Sequence, residues 1–395
     1  MAEKLRVLSV YDGFFTGGAR ILHTEVVTSL QKQGNQEHVV LSIHESVERE
    51  ETVQHMEDDR SYQDLIAAGV AVTSLGRQLR LGEAVQPPTN EEIAQLETAM
   101  GQADIILSLK EQPLTFINQA ERGETPLLVT LHRSDPENQG AGATALRQTV
   151  ALGRAAYVCC AYSAKEAYSR LGMPPDTLHV VTNGIDLERF VPSEKRRREV
   201  RAELGIPEDD SVVLLAARYD EMKNIPLFLK SARYFLKEND GAYAVLCGSG
   251  MTAENAKLGQ MVKEAFGDMP HLQERIRFLG VRKDMERIHA AADIISLTSK
   301  FGEAYPLSLA EGMACGAIPV ATDVGDVRTI IQDAGIVTSA DPSEVALAWK
   351  KAMRQKAAFQ EKVAAVRPAF DREKMAAAYK HIIERYARRG AYERS

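Results

Sequence analysis

One stretch restricts the choice of fold more than any other. The run Asp293-Ile-Ile-Ser-Leu-Thr-Ser299 leads into Phe301-Gly-Glu-Ala-Tyr-Pro-Leu-Ser-Leu-Ala-Glu-Gly-Met-Ala-Cys-Gly316, and then into Ile318-Pro-Val-Ala-Thr322. The first and last runs are apolar without alternation, as expected of strands buried on both faces of a parallel sheet. Pro306 suits a first helical position, where its missing N–H costs nothing. Leu307, Ala310 and Ala314 repeat at helical spacing, and Gly316 closes the helix. Glu303 therefore falls in the loop before a helix, and Glu311 lies one to two turns inside it. The five residues from Pro306 to Glu311 rise about 8 Å. A carboxylate at a helix mouth and another along its flank suit a ligand with two hydroxyl-bearing parts joined by a charged bridge. A nucleotide sugar has that layout.

The strand–loop–helix pattern recurs along the chain. Arg6–Tyr11 reads as a first strand, followed by the loop Asp12–Gly18 and a helix from Ala19 to Lys32 with Ile21, Leu22, Val26, Val27 and Leu30 on one stripe. Such an arrangement aims free backbone N–H groups at a phosphate, although Gly17-Gly18 is neither GxGxxG nor a P-loop. Further strands are expected at His38–Ile43, Val70–Leu75, Ala103–Leu109, Leu127–Leu131 and Ala156–Ala161. The charged stretch Glu45–Arg60 and the loop Gln78–Asn90 read as solvated polar insertions. A second series begins at Ser211–Arg218, with a helix at Ile225–Lys237 and strands at Ala242–Cys247 and from Ile276. Helices fill the remainder after Thr322, ending in Arg372–Arg389. The basic run Lys195–Arg198 reads as the exposed face of a short helix, not as an anion site. Alternating strands and helices predict doubly wound parallel sheets, which bind ligands at the carboxyl ends of their strands. Lys110-Glu111, His132-Arg133-Ser134-Asp135, Arg218 and Lys223 all fall at such ends.

A length of 395 residues points to two or three domains, and 45% hydrophobic content allows sizeable cores. The net charge of −7 argues against nucleic acid as the main partner. No window of about 18 apolar residues is present, and the N-terminus runs straight into a strand, so neither a membrane span nor a signal peptide is expected. The four cysteines match no zinc spacing and read as buried thiols. A cytoplasmic enzyme is the expectation.

Taken in order, these segments resemble the retaining glycosyltransferases of the GT-B fold, most closely family 4, from residue 6 to about 330. Glu303 and Glu311 match the Glu-x7-Glu signature, in which the first Glu faces the donor sugar and the second holds the ribose hydroxyls. Arg218 and Lys223 match the Arg-x4-Lys pair that neutralises the donor diphosphate, a task suited to a rigid fork and a point charge. Gly17 and Gly18 match the glycine loop that brings backbone against the diphosphate. His132 matches a histidine near the donor sugar and the reaction centre. The segment Asn183-Gly-Ile-Asp186…Phe190-Val-Pro192 is similar to the family's hand-over between domains, and Ile276–Arg282 to its segment under the nucleobase, implying backbone contacts at Val281 and Arg282. Backbone or side chains of Ala304, Tyr305, Pro306, Leu307 and Ser308 would complete the donor site, with Glu111, Arg133 and Asn183 as acceptor or cleft contacts. One departure is Ala304, where the family usually has Gly, and it bears on donor identity.

The resemblance implies two facing Rossmann-like domains, residues 1–191 for the acceptor and 192–370 for the donor, with an inter-domain cleft. A terminal helix, 371–395, would cross back onto the first domain. It implies a retaining transferase that moves a hexose, most often from a UDP-sugar, to an acceptor hydroxyl. The partners would be a nucleotide-sugar donor and a small-molecule or glycan acceptor. Cations and amides would carry the diphosphate charge, so no metal or other cofactor is expected, and the sequence contains no Asp-x-Asp motif. Three alternatives stay open: a nucleotide-sugar epimerase, a pyridoxal-phosphate phosphorylase of similar architecture, and a non-catalytic nucleotide-sugar-binding module.

Overall fold

The computed structural model describes residues 4–393 except 16, 50–51, 81–82, 84–85 and 135–140. The chain divides into two compact units, Met1–Gly184 with Arg372–Ser395, and Ile185–Asp371.

Unit 1 is built on an eight-stranded sheet. Its strands are β1 (Leu5–Tyr11), β2 (Gln36–Arg49), β3 (Thr52–His55), β4 (Ala71–Arg80), β5 (Ile105–Ser108), β6 (Leu127–Leu131), β7 (Ala155–Cys159) and β8 (Leu178–Val180). The order is β3-β2-β1-β5-β6-β7-β8, with β4 also on β2. Every pairing is parallel except β2 with β3. Val7, Leu8 and Val10 of β1, Ile105 to Leu107 of β5 and the whole of β6 are buried, so neighbouring residues on opposite faces both meet helices. Each fully buried aliphatic side chain contributes about 1.5–3 kcal/mol. The helix Gly18–Gln33 follows β1 and packs against the terminal helix Arg372–Glu393. That terminal helix is further tied to unit 1 by His179 Nε2 and the Tyr386 hydroxyl at 2.8 Å and by Ser29 Oγ donating to Glu373 at 3.0 Å.

Glu45–Arg60, expected as a solvated insertion, is instead part of the sheet. β2 runs on to Arg49 and β3 returns antiparallel along Ser46–Arg49. Ser46 and Val47, neighbours on opposite faces, are both buried, so this charged stretch is not a solvated insertion. The stretch ends at Asp59, which caps the helix Arg60–Ala67 by accepting the Ser61 amide at 2.8 Å. Gln78–Asn90 likewise begins inside β4; part of each stretch lies outside the described residues.

Unit 2 carries a six-stranded parallel sheet of β9 (Ser211–Ala216), β10 (Ala242–Cys247), β11 (Ile276–Phe278), β12 (Ile294–Leu297), β13 (Ile318–Thr322) and β14 (Ile336–Thr338). The order is β11-β10-β9-β12-β13-β14. β14 occupies a region where only helices were expected; three residues are too few to show a period. Trp349, fully buried on the helix Pro342–Arg354, packs tilted against Phe228 and edge-on against Phe235 of the helix Ile225–Lys237, with ring centres 5.4 and 5.7 Å apart. On the opposite face the helix Leu307–Ala314 lies close to β12, because a side chain at Gly312 would stand 2.6 Å from Ile295 Cβ.

The basic run Lys195–Arg198 keeps Lys195 and Arg198 exposed, as read from sequence, but Arg197 turns inward, as does Arg201 beyond the run. In the helix Glu194–Glu203, Arg197 and Arg201 each reach the buried Asp293 at 2.8 Å, and Lys356 joins them at 2.7 Å. A carboxylate removed from water needs such partners, and this one recruits them from a distant helix.

Candidate functional site

Both sheets reverse direction once. In unit 1 the chain builds outward from β1 to β2 and then returns to place β5 on the other side of β1; in unit 2 the same happens with β9 between β10 and β12. At such a switch point the loops after the two central strands splay apart and leave a crevice at their carboxyl ends. In each unit the candidate residues collect there.

In unit 2 the loop after β9 carries Arg218 and Lys223. It can lie flat against the loop after β10 only because Gly248 has no side chain: a Cβ there would meet the Ala217 carbonyl oxygen at 2.1 Å, and φ is +143°. Arg218 is largely exposed and its Nε donates to Asp220 Oδ2 at 3.0 Å. Asp220 also accepts the Met222 amide at 2.9 Å, capping the short turn Glu221–Lys223. Partial burial works to raise the Asp220 carboxyl, but the Met222 amide and the Arg218 guanidinium hold it below its ordinary value.

Lys223 Nζ lies 2.5 Å from Glu303 Oε1, and Ser299 Oγ donates to the same oxygen at 2.7 Å. Glu303 is only 7% exposed. Further hydrogen bonds bind the three loops around this pair: Thr298 Oγ1 to the Lys223 carbonyl at 2.9 Å, Thr322 Oγ1 to the Ser299 carbonyl at 2.7 Å, and the Lys300 amide to the Met222 carbonyl at 2.8 Å. Gly325, at φ +55°, lets the loop after β13 press on Glu303, whose carbonyl oxygen lies 2.3 Å from where a Cβ would stand. Asp326 donates its amide to the Ala304 carbonyl at 3.0 Å.

Pro306 stands one residue earlier than expected, as the cap of Leu307–Ala314, and no side chain caps the leading amides of Leu307 and Ser308. Tyr305 is half-buried, whereas Ala304 and Pro306 are buried. Glu311, a turn into this helix, keeps part of its carboxylate exposed and has Oε2 3.3 Å from Nε2 of the fully buried His289. Val281 is exposed, at 71%. Arg282 turns its guanidinium onto Asp284 at 2.8 Å and Glu203 at 2.5 Å, and its hydrogen bond to Asp284 holds that carboxyl down to about 2.

In unit 1 the loop after β1 delivers Gly17 and Gly18 to the start of a 16-residue helix with no side-chain cap among the described residues and no acidic residue in its first turn. Lys110, after β5, has the left-handed φ of +67°. Its amide donates to Thr130 Oγ1 at 3.0 Å and its carbonyl accepts from Ser108 Oγ at 2.8 Å. Lys110 Nζ would lie 3.9 Å from a Cβ at Gly17, so the ammonium stands beside the helix start. His132, after β6, is half-buried, with Nε2 enclosed and lacking a hydrogen-bond partner among the described residues. Burial, followed by the nearby charges of Lys110 and His23, lowers its pKa to about 3. Gly17, Lys110 and His132 therefore share one sheet edge. Glu111 is buried and accepts from the Tyr168 hydroxyl at 3.0 Å, Arg133 is exposed, and Asn183 is buried after β8. Asp135 lies outside the described residues.

Lys110, Ser299, Thr322 and His289 were not singled out as site residues from sequence. Only Lys110 carried a signal, its place at a strand end. Among the described residues, no group of three or more His, Cys, Asp or Glu side chains could hold a metal ion, and no helix is long and apolar enough to cross a membrane.

Two α/β units with cations and uncapped helix starts at their switch points define a GT-B architecture. Family comparison agrees: residues 16–189 match the model for Glycosyltransferase Family 4, and residues 196–366 match that for Glycosyl transferases group 1. The chain belongs to these glycosyltransferases. It is similar to a D-inositol 3-phosphate glycosyltransferase of Xylanimonas cellulosilytica, 28% identical over 254 residues that cover 58% of this chain and 57% of the relative. It is also similar to the putative glycosyltransferase EpsF of Bacillus subtilis, 26% identical with 54% and 53% covered. The chain thus spans just over half the length of these curated relatives. The crystal structure of Anabaena HepE with UDP-glucose superposes with a TM-score of 0.76 at 19% identity, covering 96% of this chain and 99% of that one.

Proposed function

We propose that this chain transfers a hexose from a UDP-sugar to a hydroxyl of an acceptor, with retention of anomeric configuration and with protein cations in place of a metal ion. The observation that carries the reading is the unit 2 switch point, where Arg218, the Lys223–Glu303 pair, the Leu307 and Ser308 amides and Glu311 share one sheet edge. Arg218, Lys223 and the amides suit a diphosphate, whose charge grows as the sugar leaves. Glu311 suits the ribose hydroxyls and Glu303 the sugar hydroxyls. Lys223 and Ser299 hold the Glu303 carboxylate in one orientation, so little reorganisation is needed when a sugar arrives.

In unit 1, the Gly17 and Gly18 amides with Lys110 add positive potential. A His132 pKa lowered to about 3 keeps the imidazole neutral at working pH, where it serves as a hydrogen-bonding group to the sugar. Attack is from the face the diphosphate leaves: the anomeric carbon–oxygen bond to phosphate breaks, the bond to the acceptor oxygen forms, and the departing phosphate oxygen takes the acceptor's proton. The choice of uridine is supported by the UDP-glucose bound in HepE.

A melting panel with UDP, GDP, ADP and their hexose conjugates, in EDTA and in Mg2+, tests this. A ligand at about 100 times its Kd stabilises the folded state by about 2.7 kcal/mol. The reading predicts a uridine-selective shift that survives EDTA. A panel without any shift, or one abolished by EDTA, contradicts it.

A further inference from the structure

His289 is an unusual side chain to bury. It belongs to the short helix Met285–Ala291, is 0% exposed, and both ring nitrogens are enclosed without a formed hydrogen bond among the described residues. An enclosed polar atom left unsatisfied costs about 1–3 kcal/mol, so packing alone is better served by Leu or Phe. One face of the ring meets Phe190 edge-on at 6.1 Å. Nε2 lies 3.3 Å from Glu311 Oε2, within ion-pair reach but not aligned as a hydrogen bond. Glu311 has no other hydrogen-bond or ion-pair partner among the described residues, and part of its carboxylate faces solvent. Each group therefore supplies what the other lacks: the imidazole has an N–H to donate, and the carboxylate is otherwise free to rotate.

We propose that His289 is the positioning residue of Glu311: with a small turn of the carboxylate, Nε2–H donates to one of its oxygens from beneath and holds it so that it accepts both ribose hydroxyls of the nucleotide. This rests on the reading of Glu311 as the ribose-binding carboxylate. The geometry assigns no contact between His289 and the nucleotide itself. Its effect is confined to the strength and direction of the Glu311 interaction, because a carboxylate fixed before binding loses less freedom on binding.

The test uses the full chain and calorimetric titration with UDP and with its 2′,3′-dideoxy analogue, which lacks the hydroxyls that Glu311 would hold. Glu311→Ala reports on the underlying reading, because it should weaken UDP and leave the analogue unchanged. His289→Leu, which keeps volume and removes both nitrogens, should weaken UDP by about tenfold and the analogue by less than about twofold. His289→Gln, whose amide N–H falls near the place of Nε2, should restore most of the lost affinity. In a Glu311→Ala background, His289→Leu should add nothing. Should His289→Leu fail to fold, the His289→Gln and His289→Asn pair decides, since only the Gln amide reaches the Nε2 position. Equal losses for UDP and the analogue would make His289 a packing residue and overturn the proposal. An effect of Glu311→Ala with none of His289→Leu overturns the proposal alone. If neither variant affects UDP, the ribose assignment falls and takes this inference with it.

Discussion

The two switch points are built in opposite ways. In unit 2 the charged groups are spent on one another: Arg218 on Asp220, Lys223 on Glu303 with Ser299, and Arg282 on Asp284 and Glu203. In unit 1 Glu111 is spent on the Tyr168 hydroxyl, whereas Lys110 has no ion pair and His132 Nε2 no hydrogen bond among the described residues. A paired edge is rigid and pre-oriented, whereas an unpaired edge keeps its full hydrogen-bonding and electrostatic capacity for a ligand. The comparison teaches that one unit presents a fixed template and the other a set of uncommitted donors.

The largest expected difference between the units is in acid. His23, His38 and His132 all lie in unit 1, and burial lowers their pKa values from 6.5 to about 3, 4 and 3. The folded values lie below the unfolded one, so the unfolded chain binds protons that the native state refuses. Stability therefore falls as pH drops below 6.5, by up to about 1.4 kcal/mol per pH unit for each histidine, until the folded values are reached. In unit 2, Asp220 and Asp284 shift downward. Their contribution is intact above the unfolded carboxyl value of 3.8 and is lost only as pH falls through the folded values. Hydrogen exchange read against pH should show peptides of β1, β6 and Gly18–Gln33 losing protection first, between about pH 6.5 and 4. Simultaneous loss in both units would break the comparison.

Lys223→Ala and Arg218→Ala come next and sharpen it within unit 2. Removing one partner of a fully buried pair costs about 3–5 kcal/mol. Lys223 retains 15% side-chain exposure and Glu303 8%, so the loss should lie at or below the lower end of that range. Arg218→Ala should leave the melting temperature unchanged, because its side chain is 63% exposed. Both variants should weaken UDP by about tenfold or more, since each removes a charge-assisted phosphate contact. Chemical denaturation and titration on the same samples check both halves.

The smallest effect is on unit 1 stability. A non-glycine residue in the left-handed region costs about 1 kcal/mol or more, and Lys110 has no ion pair to lose among the described residues. Lys110→Gly should thus leave stability unchanged or raise it by up to about 1 kcal/mol, while slowing sugar transfer. A clear drop in melting temperature would show that Lys110 has a structural role instead.

The parts of the molecule legible in sequence were those that repeat or carry charge at a strand end. β1, β6, β9, β10 and β13 are runs buried on both faces, and they fall within a residue or two of where their apolar stretches place them. β2 could not be followed past Ile43 because its extension sets the buried Ser46 and Val47 between Glu45 and Glu48, a stretch that reads as solvated surface. Arg197 looked exposed because its partner, Asp293, is some 90 residues away in the chain. Glu303, Glu311, Arg218 and Lys223 were found by resemblance, but the pairing of Lys223 with Glu303 was not. Whether Lys223 points to a ligand or to Glu303 is decided by loops tied together after β9, β12 and β13, and no single segment contains that information. His289 is silent for the same reason: within Met285–Ala291 it is one histidine on an apolar face, and only the fold brings it beneath Glu311.

The central claim is that Glu303 and Glu311 divide a nucleotide sugar between them, one for the sugar and one for the ribose. It is tested most directly by calorimetric titration of Glu303→Gln and Glu311→Gln with UDP and with UDP-glucose. The account predicts that Glu303→Gln binds UDP as the wild type does and loses only the added affinity for the glucose conjugate, while Glu311→Gln weakens both ligands alike. Wild-type affinity for both ligands in both variants, or an equal loss of UDP in each, would contradict it.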